Sequence, residues 1–218
     1  MGYSPILKPI VRSPKLKSLI DELNEIWLNE QKRREEFYNW VTPEIKAEFI
    51  DGEIIVHSPV RSVHNTVLLY INRLIHTYVD LNNLGYVGYE KVMVRLHRND
   101  FEPDLVFFGK EKSDNFEKDQ TIFPVPDFVV EVLSAATEER DRGIKLEDYE
   151  YNNVGEYWIV DADINTVDQY ILTNGKYKKY SYNEDDTIES IEIKNFSCSL
   201  KAIFDKEYNL RALNQIMH

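Results

Sequence analysis

The 218-residue chain has one cysteine, Cys198, and no apolar run that approaches the length of a membrane span. A single cysteine excludes an internal disulfide and any zinc site built from several cysteines. A transmembrane helix needs about 20 consecutive apolar residues, so we expect no membrane association. Residues 1–17 carry four basic side chains but no apolar segment of signal-peptide length, which predicts a cytoplasmic protein.

Basic charge is scarce as well. The chain has 26 Lys and Arg against 38 Asp and Glu, a formal net charge of −12. Residues 104–161 alone carry 6 basic and 15 acidic side chains. Proteins that bind duplex DNA neutralise phosphates with Lys and Arg, so this balance favours a bound cation and argues against an obvious basic groove. Most of the acidic side chains between residues 138 and 150 have an alternative explanation as the solvated face of a helix.

Material for a hydrophobic core is abundant. Hydrophobic residues make up 43% of the chain, with 14 Tyr, 10 Phe and 3 Trp, which is typical of a folded globular protein. Hydrophobic periodicity predicts the order of elements. They are a helix over 18–40, a hairpin at 49–56, a helix over 62–82, strands at 87–96, 103–108 and 127–133, a helix over 140–152, a strand at 156–161, a hairpin at 166–182, a strand at 188–193 and a weak C-terminal helix.

Local signals mark the ends of several elements. Asp51-Gly52 and Asn174-Gly175 are pairs that favour type I′ turns, and Gly155 is a predicted helix cap. Ser18 and Asp21 form a possible capping box for the first helix, and Pro43 follows its end. The apolar stripe of that helix contains Leu19, Leu23, Ile26 and Trp27. We interpret its basic cluster at 32–34 as a solvated face, with phosphate contact as the alternative.

The order of elements predicts one α/β domain over residues 1–218. Residues 1–45 form a helical extension, residues 46–161 the core, and residues 162–218 a β-hairpin and C-terminal extension. Within the core, a helix precedes a mixed central sheet and a second helix follows it.

Two acidic side chains lie inside runs that read as strands buried on both faces. Asp104 opens the run Leu105 to Phe108, and Glu131 is flanked by aliphatic residues within 127–133. A buried carboxylate is costly unless a cation or donor neutralises it. Two of them on neighbouring strands therefore predict a site for Mg²⁺ or Mn²⁺. Lys145, on the next predicted helix, supplies a cation suited to hydrolysis at such a site.

These residues resemble a known superfamily. The element order resembles the PD-(D/E)XK nucleases, with Pro103-Asp104 and Glu131 as the two acidic positions. That pattern has a lysine two residues after the second acid, where this chain has Leu133, and some of its families carry the lysine on the following helix, as Lys145 does. Over roughly residues 40–175 the chain is similar to the Uma-two family of restriction-endonuclease-like proteins. The motifs that carry this similarity are Glu48-Phe49-Ile50-Asp51-Gly52-Glu53, His64, 126–134, 141–145, Tyr149 and 156–161.

The resemblance implies a metal-dependent endonuclease that hydrolyses phosphodiester bonds in DNA. Asp104, Glu131 and the carbonyl of Val132 would hold Mg²⁺ or Mn²⁺, Lys145 would orient water or stabilise charge on phosphate, and Glu48 would be a third acid. His64 is a further candidate, with capping or packing as its alternative. Weak DNA binding and a homodimer are also implied.

Each site residue also has a structural explanation when it is taken alone. Asp104 could be a turn residue, Glu131 a buried acid paired with Lys145 or Arg142, and Lys145 a solvated helix lysine. His57, His76, His97 and His218 show no metal-ligand spacing. A non-catalytic binding scaffold on the same fold is therefore the second hypothesis. A hydrolase of a smaller phosphate substrate is the third.

Overall fold

Alternation along the buried strands determines which side chains face the two layers of the molecule. A computed structural model describes residues 4–42 and 44–218. Residues 1–3 and Pro43 lie outside the described part, so the prediction that Pro43 follows the end of the first helix falls outside it as well. The larger sheet has six strands and is mixed, because the strands Phe128–Val132 and Glu156–Asp161 run parallel and the other pairs are antiparallel. In spatial order the strands are β11 (Lys176–Tyr182), β10 (Thr166–Thr173), β9 (Glu156–Asp161), β8 (Phe128–Val132), β6 (Leu105–Gly109) and β3 (Gly85–Tyr89).

A second sheet of five strands carries the N-terminal hairpin. Its order is β2 (Glu53–Val56), β1 (Ala47–Ile50), β5 (Asp100–Phe101), β4 (Met93–Arg95) and β7 (Ile122–Phe123). Asp51 and Gly52 both have positive φ at the β1–β2 turn, as a type I′ turn requires. A separate two-stranded sheet pairs β12 (Thr187–Glu189) with β13 (Ser197–Ser199).

The helices pack around these sheets. They are α1 (Leu7–Val11), α2 (Leu16–Trp40), α3 (Ser62–Asn82), α4 (Lys110–Ser113), α5 (Glu138–Arg142), α6 (Ile144–Tyr151), α7 (Lys201–Phe204) and α8 (Lys206–Met217). In the part of the chain that the structure describes, no helix is long and apolar enough to cross a bilayer.

Two hydrophobic clusters occupy opposite faces of the six-stranded sheet. Even-numbered side chains of β8, such as Val130, join α3 and α7 in the first cluster. Odd-numbered ones, such as Val129, join the five-stranded sheet and α6 in the second. Because side chains alternate along a strand, Glu131 must belong to the second face. Asp104, one residue before β6, belongs to the same face as Val106 by the same rule.

Two predicted elements are each divided in the structure. The predicted strand at 87–96 is two strands in different sheets, because Glu90 and Lys91 adopt positive φ and turn the chain between them. The predicted helix at 140–152 breaks at Gly143, where ψ is −104°. The helix ends at Tyr151, so Gly155 is not its cap. Any side chain at position 155 would collide with the side chain of Glu192. The strand predicted at 188–193 is shorter and pairs with β13 rather than with the hairpin.

The first long helix differs from its prediction in three respects. It begins at Leu16 without a side-chain cap, and Asp21 pairs with Lys17 instead of serving a capping box. Its predicted apolar stripe is largely exposed, since the buried face begins only at Glu30. The solvated-face interpretation is wrong for Arg34, which is buried against Asp100 at 2.6 Å and donates to the carbonyls of Leu96, His97 and Asn99.

Candidate functional site

The pairing of β6 with β8 brings the two predicted acids side by side. Leu105 is opposite Val130, and continuing this antiparallel register by one residue places Asp104 opposite Glu131. Directly opposed residues of antiparallel strands have Cβ atoms about 4.5–5.5 Å apart. The backbone N–H of Val132 donates to Oδ2 of Asp104 at 2.9 Å, which fixes the Asp104 carboxylate against β8.

Lys145 lies at the centre of three buried carboxylates. Its Nζ is 2.8 Å from Oε1 of Glu131, 2.9 Å from Oε1 of Glu48 and 3.4 Å from Oδ1 of Asp141. Lys145 lies in α6, and Asp141 of α5 contacts it across the break at Gly143. Lys145 is 1% exposed, so its charge is fully committed to these acids.

One ammonium cannot neutralise three carboxylates, and their pKa values reflect this. Burial raises the pKa of Glu131 well above its ordinary value, with Lys145 opposing the rise and the charges of Asp141 and Asp104 adding to it. Burial likewise raises the pKa of Asp141. For Glu48, burial is outweighed by Lys145 and His57, which lower its pKa to about 2. Lys145 therefore neutralises the buried acids around it only in part.

Asp104 has a different environment from Glu131. Its Oδ1 is 3.2 Å from Nζ of Lys46, and its Oδ2 is 3.4 Å from Nε2 of His64. Burial raises its pKa, but His64, Lys46 and the Val132 N–H together lower the pKa well below its usual range. The pKa of Asp104 is therefore lowered, whereas the pKa of its neighbour Glu131 is raised. Such divergence between adjacent carboxylates is frequent at functional sites.

Glu48 belongs to β1 and is fully buried. Its Oε1 accepts the backbone N–H of Glu102 at 3.1 Å as well as contacting Lys145. Its Oε2 lies 3.1 Å from Nε2 of His57, a histidine that was not among the predicted site residues. Glu48 therefore joins the five-stranded sheet to the acids of the six-stranded sheet.

The donor set suits a hard divalent cation held by few protein ligands. Asp104 and Glu131 offer carboxylate oxygens from opposed positions, and Val132, the residue after Glu131, lines the same cleft. Within residues 4–42 and 44–218, no three His, Cys, Asp or Glu side chains form a ready cation cage. Mg²⁺ is commonly held by one or two carboxylates together with water and substrate phosphate, so the residues fit such an ion.

A cleft of about 690 Å³ opens over the acids. Asp104, Glu131, Val132, Lys145 and His64 line it, whereas Glu48 is not part of its wall. Five Lys or Arg side chains and five Asp or Glu side chains line the cleft, so it is formally neutral within a strongly acidic protein. The acidic balance of residues 104–161 thus does not extend to the cleft itself.

Comparison with known proteins identifies the family to which this chain belongs. A family model described as "Uma2: Putative restriction endonuclease" matches residues 34–201, most of the chain, including every predicted site residue. The chain belongs to the Uma2 family. The fold is that of a crystal structure from Anabaena variabilis, described as a "putative nuclease belonging to DUF820". The TM-score is 0.68 with 18% identity, over 78% of this chain and 96% of that one. A search of curated proteins gives no significant match.

The Uma2 assignment and the fold agree with the sequence prediction, while the roles of individual residues stay predictions. The structure brings together all five candidates, namely Asp104, Glu131, Lys145, Glu48 and His64. Sequence reasoning missed Lys46, His57 and Glu102 as neighbours of the site, and it named Asp141 only as part of the family motif. Lys46 and Glu102 each precede a predicted acid by two residues but lie outside the predicted strands, so strand periodicity did not select them.

Glu102 gives a pH-dependent stability that can be measured. Its side chain is 4% exposed, and burial raises its pKa from 4.5 to about 7, although the Ala47 N–H donates to it. Because the folded state binds this proton more tightly, stability contributed by neutral Glu102 is present below about pH 4.5 and lost as pH rises through about 7. Glu102→Gln keeps an acceptor for Ala47 and should raise Tm by several degrees above pH 7 but hardly at pH 4.5.

Thermal melts in EDTA at the two pH values test this expectation. Glu147→Gln is the matched control, because Glu147 is exposed on α6 and the same charge is removed. An equal gain in Tm for both variants, or a gain for Glu102→Gln that does not depend on pH, would contradict it.

Proposed function

We propose that this Uma2-family chain is a metal-dependent nuclease that hydrolyses phosphodiester bonds in DNA. The observation that carries the proposal is the pairing of Glu131 with Lys145 at 2.8 Å, directly beside Asp104 on the opposed strand. A mere structural salt bridge needs one acid and one base. Here four buried acids, Asp104, Glu131, Glu48 and Asp141, share the cations of Lys145 and Lys46, and the first two of these acids line a cleft.

In this proposal Asp104, Glu131 and the carbonyl of Val132 hold Mg²⁺ or Mn²⁺. A divalent cation bound there polarises a phosphoryl oxygen and lowers the pKa of a bound water. Lys145 holds Glu131 in a fixed orientation and keeps positive charge beside the reacting phosphate. Glu48, which does not line the cleft, positions Lys145 through their ion pair. His64, which contacts Asp104 from the first turn of α3 and lines the cleft, would exchange a proton with water or with the leaving group.

One observation favours the alternative of a non-catalytic scaffold. Lys145 already contacts Glu48, Glu131 and Asp141, and Lys46 contacts Asp104, so internal cations reach every acid of the site. A cluster neutralised in this way is compatible with a purely structural role. The two hypotheses differ in whether added metal produces hydrolysis.

The deciding experiment compares wild type with Glu131→Gln. Wild type should cleave plasmid and single-stranded DNA with Mn²⁺ at low salt, and should hydrolyse the small diester bis(4-nitrophenyl) phosphate. The Glu131→Gln variant should lose both activities while its Tm in EDTA is unchanged or raised, because burial disfavours the charged form of Glu131. Identical residual cleavage in the two proteins would identify the activity as contamination and put the scaffold hypothesis first.

A further inference from the structure

Arg140 stands apart from the acid-paired arginines of this acidic chain. Arg34, Arg61, Arg98, Arg142 and Arg211 each pair with an Asp or Glu. Among residues 4–42 and 44–218, the guanidinium of Arg140 has neither an ion pair nor a hydrogen-bond acceptor, and its Nε is buried without a partner. A buried, unsatisfied donor is unfavourable unless water or a ligand supplies the acceptor.

The position of Arg140 indicates where that ligand would lie. Arg140 follows the segment 134–137, and both line the cleft that contains Asp104 and Glu131. A planar guanidinium without an internal carboxylate is suited to bind phosphate through two parallel hydrogen bonds. The positive end of α5 adds nothing here, because Glu138, Glu139 and Asp141 already occupy its first turn.

A second group of donors lines the same cleft. The 21-residue helix α3 begins there with no capping side chain and no acidic residue in its first turn. Its first N–H groups carry the positive end of the helix dipole and are suited to an anion. His64 of that turn is 4% exposed, lines the cleft, and its Nδ1 has no partner in the described part of the chain.

We propose that Arg140 and the first turn of α3 bind backbone phosphates of a single nucleic-acid strand on either side of the phosphate at Asp104 and Glu131. The inference rests on the proposed function for the identity of that central phosphate. A cleft of about 690 Å³ lies in the range of small-ligand sites, so it admits a few nucleotides of one strand. Its described lining has no Phe, Tyr or Trp on which bases could stack, so recognition is of the backbone.

The test measures how DNA affinity depends on salt. A fluorescent oligothymidylate is titrated with protein in EDTA, and again in Ca²⁺, at several low salt concentrations. For single strands the slope of log K against log salt is about −0.7 per neutralised phosphate, so Arg140→Gln should reduce its magnitude by about 0.7. Arg140→Lys keeps the charge and should keep the slope while binding more weakly.

Arg142→Gln is the matched control. Arg142 lies two residues away and carries the same charge, but it pairs with Glu138 and Asp168 and does not line the cleft. Its slope should equal that of wild type. An unchanged slope in Arg140→Gln, or equal reductions in both Gln variants, would overturn the proposal.

A third result separates this inference from the proposed function. If wild type hydrolyses bis(4-nitrophenyl) phosphate with Mn²⁺ but binds no oligothymidylate in EDTA or Ca²⁺, strand recognition is rejected and the metal-dependent chemistry stands. If it binds the strand with the predicted slopes but hydrolyses neither substrate, the Arg140 site is supported and the nuclease proposal fails.

Discussion

Lys145→Met is expected to lower the free energy of unfolding by about 3–5 kcal/mol near neutral pH in EDTA, because the substitution leaves buried acids without their cation. Glu48, Glu131 and Asp141 all contact Nζ of Lys145, and each is at most 4% exposed. Methionine has nearly the same volume, so the loss reports charge rather than packing. Chemical denaturation measures it directly.

The control is an ion pair at the surface. Lys176 pairs with Glu150, but its side chain is 81% exposed, and Lys176→Met should change stability by less than about 1 kcal/mol. Adding Glu131→Gln to Lys145→Met should recover part of the loss, since one buried charge is then removed. A loss for Lys145→Met as small as that of Lys176→Met would show that the acids are already protonated and that Lys145 does not hold them.

Activity lost in a Lys145 variant can result from loss of stability. A variant that unfolds has no activity for a trivial reason. Rates must therefore be compared well below the midpoint of thermal unfolding, or in saturating Mn²⁺, which stabilises the folded state by mass action if the acids bind it. Lys145→Met that is folded but inactive would then support a role near the reacting phosphate.

The core of the site could be predicted because its signals are local. Asp104 and Glu131 each interrupt a short apolar run, and alternation then fixes their common face once the strands pair. Lys145 followed on the next helix, as the Uma2 resemblance implied. The turn at Glu90 and Lys91 was not predicted, although these two consecutive polar residues interrupt the alternation of residues 87–96. Only the pairing of β4 with β5 shows that the chain changes sheets.

Contacts between distant segments were also inaccessible. Arg34 and Asp100 are 66 residues apart, and each belongs to a polar stretch that looks solvated. Their burial fastens α2 to the five-stranded sheet and keeps β1, with Glu48, in place beside Lys145. The lack of an ion-pair partner for Arg140 could not be predicted for a related reason. Its neighbours in sequence are acidic, and only the structure shows that none of them pairs with it.

Asp104→Asn is expected to weaken Mn²⁺ binding at least about 100-fold and to reduce metal-dependent hydrolysis by a similar or larger factor, since several kcal/mol of charge stabilisation are lost. The amide retains an oxygen for the Val132 N–H, so the fold should persist despite the lost contact with Lys46. Calorimetry with Mn²⁺ gives the affinity without any assay of activity, and bis(4-nitrophenyl) phosphate gives the rate.

Glu102→Gln provides the matched comparison for this variant. Glu102 lies two residues from Asp104, lines the same cleft and is also buried, yet it is outside the proposed ligand set. Removing its charge acts on a bound cation only through space and should change Mn²⁺ affinity by less than about tenfold. Equal losses in the two variants would mean that Mn²⁺ senses the overall charge of the cleft. A loss confined to Asp104→Asn would mean that the carboxylate opposite Glu131 binds the metal directly, which a purely structural acid cluster cannot explain.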